Sequence, residues 1–246
     1  MNFFNNQAPR AGKTIIQALL AATLSIGSVA HAGVLDFEGK PQTFDGKPQS
    51  AFVTSNKPIA IGDYWMEAYG GELEGDLVGA FVNGSEPETC MTGNCPVNNA
   101  SHYYTGLDNG YFYFGRNDNT SFRLDGLNAS FVGAGQESFP DMAGMLVLQG
   151  FDAKGEELGP MVRLGLAGPN DGQFSFEHFN LGKLNDYYSF VLVFGLECDD
   201  TGKCFRGGMA NFAIDDISTI PEPGSLALFG LGMGGLALAS RRRRVR

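Results

Sequence analysis

Apolar and polar residues alternate with a period of two along most of the chain between residues 33 and 220. In GVLDFEG (33–39), Val34, Asp36 and Glu38 fall on one side, and Leu35 and Phe37 on the other. GYFYFGR (110–116) sets Phe112 and Phe114 against Tyr111 and Tyr113. TSFRLDGLNASFVG (120–133) alternates from Phe122 to Leu124, and GMLVLQGFDAKGEELG (144–159) reads as a buried strand that ends in a polar turn. QFSFEHFNL (173–181) sets Phe174, Phe176 and His178 against Ser175, Glu177 and Phe179, which makes His178 a packed histidine on an apolar side. YYSFVLVFGL (187–196) is continuously apolar and predicts a central strand. NFAIDDIS (211–218) closes the series. Short runs of this kind, separated by Gly, Asn and Asp turns, predict an all-β antiparallel sandwich. Residues 168–173 read as a turn, and 82–101 as a long loop. No convincing helix of about 12 residues appears between 33 and 220.

The two ends break the pattern. MNFFNNQAPRAGK carries two cations and no acid, an apolar stretch follows over 14–29, and Ala30 and Ala32 offer small residues. These are the parts of a cleaved signal peptide, here assigned to 1–32. An uncleaved N-terminal anchor is the alternative. At the other end, residues 220–246 hold Pro221, Glu222 and Pro223, an uncharged run from Leu226 to Ala239, and then Arg241–Arg244 and Arg246. A bilayer span needs roughly 20 apolar residues, which the run just reaches with its flanks. The arginines would stay on the cytoplasmic side, leaving residues 33–219 across the membrane. Gly230, Gly232, Gly234 and Gly235 argue against a buried soluble helix, since each costs roughly 1 kcal/mol against alanine.

The order Pro-Glu-Pro, apolar run, arginine block closely resembles the PEP-CTERM sorting signal of Gram-negative bacteria. The resemblance covers the last 27 residues. It implies an exosortase that recognises and removes the tail, a transient inner-membrane anchor, and a final place at the cell surface or in the extracellular matrix. It also implies an extracellular-polysaccharide and biofilm setting. Signal peptidase and exosortase are then the processing partners.

Charge narrows the class of partner. Residues 33–220 hold ten Lys and Arg against 26 Asp and Glu, a balance of sixteen negative charges. Such a surface excludes binding nucleic acid through phosphate contacts and attracts divalent cations. The four cysteines fall in two close pairs, Cys90 with Cys95 and Cys198 with Cys204. Export implies an oxidising compartment, so two local disulfides are expected among the three connectivities that four cysteines allow. A four-thiolate zinc site lacks its usual CxxC spacing.

Catalytic signatures are weak. His102 and His178 are the histidines beyond the signal peptide, and neither HExxH nor GxSxG is present. Glu67, Glu72, Glu74 and Asp76 read as a solvated acidic face, although a carboxylate pair of glycosidase type stays open. A sugar-stacking surface is the sharper reading. Its expected members are Tyr111 and Tyr113, with Arg116 nearby, and Trp65 as the other place for such a site.

DFEG near the start of the body and FAIDDI near its end resemble the first and last strands of carbohydrate-binding jelly rolls. In those folds the two strands lie close together and often hold a structural calcium. The matching positions are Glu38, Asp215 and Asp216. Phe212 and Ile214 should face the core and Asp215 outward. Ile217 requires a change of face within the Asp pair, which predicts a bulge there. The expectation is a jelly-roll-type sandwich without catalytic function, at the surface or in the matrix, with glycan binding and a structural calcium. A polysaccharide-acting enzyme and a protein-binding adhesin or structural matrix protein are the alternatives.

Overall fold

The computed structural model describes residues 32–222, apart from 40, 44–45, 47–48, 71–74, 87–88, 90–91, 93 and 134–137. The expected signal peptide, the apolar tail and the arginine block lie outside the described residues. Among the described residues, no helix is long and apolar enough to cross a membrane. Residues 31–222 form one compact unit.

Among the described residues, fifteen strands build two antiparallel sheets. Sheet A contains β1 (Gly33–Leu35), β3 (Phe52–Thr54), β6 (Leu77–Asn83), β7 (His102–Gly106), β9 (Phe122–Phe131), β12 (Glu177–Asn180) and β15 (Phe212–Pro221). Sheet B contains β2 (Gln42–Thr43), β4 (Lys57–Ile61), β5 (Tyr64–Tyr69), β8 (Tyr111–Arg116), β10 (Met142–Phe151), β11 (Glu157–Ala167), β13 (Phe190–Cys198) and β14 (Cys204–Phe205). Sheet A runs β12-β9-β15-β7-β6-β3, and sheet B runs β11-β10-β13-β8-β5-β4-β2. The chain passes repeatedly between the two sheets, for example between β5 and β6, β7 and β8, β8 and β9, and β9 and β10, as a jelly-roll-type sandwich requires.

The alternation places the core. Phe112, Phe114, Phe212, Ile214, Val191 and Val193 point between the sheets and are fully buried. The apolar run at 187–196 becomes β13, the expected central strand, flanked by β10 and β8. Burying aromatic and aliphatic side chains of this size is the main stabilising term, about 1.5–3 kcal/mol each. The expected pattern does not single out β3 to β7. β5 does alternate, with Tyr64, Met66 and Ala68 buried against Trp65, Glu67 and Tyr69, whereas in β6 the buried positions run on from Val78 through Gly79 to Ala80.

The first and last strands of the body pair directly, with Gly33 opposite Thr219 and Leu35 opposite Ile217. β15 also pairs β9, with a register shift between Asp215 and Ser218. Asp216 sits at φ 50°, and this bulge lets Ile214 and Ile217 both enter the core. The predicted face change is therefore present.

Sheet A also carries a second, smaller apolar cluster on its outer side. Ala80, Val82, Tyr103 and Ala213 pack there with Phe176. The cover comes from the loop after β6 and from the segment before β12. Val97 N–H donates to Phe174 O (2.8 Å) and Phe176 N–H to Asn98 Oδ1 (2.8 Å).

Candidate functional site

Among the described residues, the outer side of sheet B keeps its rings partly exposed while Val147 and Gln149 on β10 are buried, and its side chains form three rows across four strands. Tyr69, Tyr111, Phe194 and Val147 make the first row. Glu67, Tyr113, Leu192 and Gln149 make the second, and Trp65, Gly115, Phe190 and Phe151 the third. The rows are about 7 Å apart, two residues along a strand.

The rings touch throughout. Tyr69 stacks on Tyr111 at 5.6 Å and meets Tyr113 edge-on at 5.8 Å. Tyr113 meets Phe190 at 6.0 Å, and Phe190 stacks on Phe151 at 5.0 Å. Trp65 lies 6.4 Å from Phe190. Gly115 makes room for it: a Cβ there would come within 2.8 Å of the indole ring. The tyrosines and Trp65, half-buried, thus form one continuous aromatic floor. Burial pushes the Tyr69 phenol up to about 12, and its hydrogen bond with Glu67 adds to the rise. Burial also raises Tyr113, followed by the influence of Tyr111. Both stay protonated; the Tyr69 O–H is given to Glu67, so Tyr69 can accept from a ligand hydroxyl, while Tyr113 can donate to one.

The structure brings Tyr111 and Tyr113 together as expected but removes Arg116 from them. Arg116 faces the other side of β8, where its guanidinium lies over the Tyr64 ring and donates to Asp118 at 3.0 and 3.1 Å. The reason is the period of two: Arg116 has the parity of Phe112 and Phe114. The arginine on the aromatic floor is Arg206, 5.2 Å from the Tyr111 ring centre and 5.9 Å from that of Phe194. It follows β14, the short strand tied to β13 by the Cys198–Cys204 disulfide, and it donates to Asn109 O at 2.8 Å. Cys95 is also disulfide-bonded; Cys90, its expected partner, lies outside the described residues.

Trp65 and Tyr69 are legible after the fact, because YWMEAY alternates them with Tyr64, Met66 and Ala68. Phe190 and Phe151 are not, since their strands are apolar on both sides. Arg206 is placed by a hairpin whose path no local pattern gives.

The residues expected to hold calcium lie on sheet A at the bulge of β15 and beside the start of β7. Glu38 accepts from His102 N–H at 2.6 Å and pairs with its Nδ1 at 3.1 Å. These bonds, the backbone one first, lower its pKa. Asp215 does face outward but is fully buried rather than solvated, because residues 99–101 lie over it. Its carboxylate accepts from Asn99 Nδ2, Ser101 Oγ and Asp216 N–H, each at 2.8 Å. Burial pushes it up to about 6 against the pull of those bonds. Asp216 accepts from Asn128 Nδ2 at 2.8 Å. Each carboxylate therefore has its own partners, and among the described residues no group of three His, Cys, Asp or Glu side chains converges as metal ligands do.

His178 is a correction. It is exposed, not packed, because β12 is an edge strand and this side of it faces out. Its Nδ1 lies 2.9 Å from Asn128 Oδ1.

Residues 219–244 match the PEP-CTERM protein-sorting motif. The chain thus carries the sorting signal of an exported protein handled by an exosortase. No curated protein matches the chain. Among solved structures, it is similar to a DUF4465 family protein from Bacteroides caccae, with 16% identity and a TM-score of 0.46 over 78% of this chain and 100% of the other. It is also similar to TmCBM61 in complex with β-1,4-galactotriose, with 12% identity and a TM-score of 0.31 over 64% of this chain and 88% of the other. A third likeness is to the CBM22-1 xylan-binding domain from Paenibacillus barcinonensis Xyn10C, with 10% identity and a TM-score of 0.31 over 79% and 97%.

Proposed function

We propose that this exported protein is a surface or matrix component that binds polysaccharide through the outer side of sheet B, without catalysis. One observation carries the reading: a floor of touching, partly exposed aromatic rings contributed by four strands. Aromatic faces pack against the apolar C–H faces of pyranose rings, while Tyr69, Glu67 and Arg206 at the rim offer donors and acceptors for hydroxyls. In these three rows Glu67 is the one carboxylate, whereas most glycoside hydrolases use two. The sorting motif supports the setting, since an extracellular polysaccharide is what such a protein would meet.

A glycan array of the secreted protein, followed by calorimetry on the hits, tests the reading. Binding that falls in Trp65→Ala and Tyr113→Ala supports it. Release of reducing ends from matrix polysaccharide would replace it with an enzyme, and binding to matrix proteins alone would replace it with an adhesin. Intact-mass analysis tests the sorting: a mature form should begin at Gly33 and lack Arg241–Arg244.

A calcium clamp between β1 and β15 belongs to the same proposal. Glu38 and Asp215 bond to the consecutive residues His102 and Ser101, so the two carboxylates approach the same stretch of chain. A cation there would need backbone carbonyls to complete its six to eight oxygen ligands.

A further inference from the structure

On the outer side of sheet A, between the covering segment and β12, lies a pocket of about 330 Å³ lined by Asn98, Asn99, Asn128, Phe176, His178 and Asp216. We propose that it is a second saccharide site, separate from the aromatic floor, which takes a single sugar residue at a chain end through neighbouring hydroxyls.

Size is the first argument. Ligand pockets run from about 300 to 1,000 Å³, so this one is at the small end and suits one ring rather than a run of rings. Its polar groups are also ordered. Asp216 is a carboxylate at the bulge and can only accept, so Asn128 must present its Nδ2–H to it, at 2.8 Å. That turns Asn128 Oδ1 toward His178 Nδ1, 2.9 Å away, and fixes the proton on Nδ1. His178 Nε2 is then an acceptor in the neutral ring. Three groups are left over: Asp216 Oδ1, the second N–H of Asn128, and His178 Nε2. None of the three bonds to another of the described residues.

The row therefore reads acceptor, donor, acceptor. A sugar hydroxyl both donates and accepts. One hydroxyl can donate to Asp216 and accept from Asn128, and its neighbour on the ring can donate to His178. The remaining amide hydrogens of Asn98 and Asn99 provide further donors. Asn98 is held in place by two bonds to the Phe176 backbone, 2.8 and 3.2 Å. Asn99 is held by Asp215 at 2.8 Å. Phe176 supplies an apolar wall. Each rim residue is thus positioned by the fold before a ligand arrives, which reduces the ordering cost of binding.

The two sites would lie on opposite sides of the sandwich. One domain could then hold a polysaccharide run on one side and the end of a second chain on the other.

Backbone amide shifts of the isotope-labelled secreted protein test the proposal, in separate titrations with D-glucose, D-galactose, D-mannose, L-rhamnose and calcium chloride. At least one sugar should shift the amides of 98–101, 128, 178 and 216 saturably. Asn128→Ala should weaken that binding about tenfold, the loss of one to two hydrogen bonds. His178 is exposed, so His178→Ala keeps the fold and should weaken binding as well. Trp65→Ala should leave these shifts unchanged. The proposal falls if no sugar shifts these amides, if only calcium does, or if both variants bind as tightly as the wild type. Shifts confined to Trp65, Tyr69 and Tyr113 would overturn it while leaving the polysaccharide reading of sheet B intact.

Discussion

The two outer sides of the sandwich differ in one respect that decides their chemistry. Tyr103 on β7 and Tyr113 on β8 both alternate with core residues and both point away from the core. Tyr103 is 1% exposed, under Phe176 at 5.0 Å, and belongs to a small second core. Tyr113 is half-buried among other aromatics and keeps part of its surface exposed. An outward aromatic residue on a strand is therefore a structural or a ligand-binding group according to whether another segment lies over it. Sheet A acquires that segment from the loop after β6 and from residues 174–176, and is left with a small polar pocket. Sheet B keeps a broad apolar floor.

The largest expected effect tests the covered side. Phe176→Ala should destabilise the fold by roughly 3 kcal/mol, through lost burial and a cavity over Tyr103. Denaturant titration measures it, and a loss under about 1 kcal/mol would mean that the cover is not part of the core. The open side should respond differently. Trp65→Ala or Tyr113→Ala should weaken polysaccharide binding about tenfold, with a smaller loss of stability. Gly115→Ala sharpens the point, because its new methyl group must push the Trp65 ring off the floor. It should lower affinity although no residue that contacts ligand is itself replaced.

A smaller effect concerns pH. Asp215 has a folded pKa raised by burial to about 6 from 3.8. A raised carboxylate contributes stability that is fully present below the unfolded value and is lost as pH rises through the folded one. With chelator present, the melting temperature of wild type should fall between about pH 4 and pH 6 relative to Asp215→Asn. Parallel curves over that window would show that the three hydrogen bonds outweigh burial. Calcium is the smallest term. At a concentration near its dissociation constant it should stabilise by about 0.4 kcal/mol, and Glu38→Gln should abolish the gain. Identical melting in calcium and in chelator would end the clamp.

Much of the frame was legible in the residues themselves. Period-two alternation assigns side chains to faces locally, so Phe112, Phe114, Phe212 and Ile214 read as core and Tyr111 and Tyr113 as outward. The run Ile-Asp-Asp-Ile demands a change of face, and the bulge at Asp216 supplies it. The sorting motif is linear and needs no fold to be read. Other features depend on contacts between distant segments. The parity that sends Arg116 inward is local, but the arrival of Arg206 on Tyr111 needs the β13–β14 hairpin and its neighbour β8. Trp65 joins Tyr113 only because β5 pairs β8 in a register that sets the indole beside Gly115. His178 looked packed because its side of the strand is apolar in sequence, yet an edge strand leaves it open beside Asn128. Asp215 was correctly sent outward and still ended buried, because residues 99–101 come to lie over it from more than a hundred positions away. Alternation specifies which way a side chain points; register and loop path, set by long-range packing, specify what it meets there.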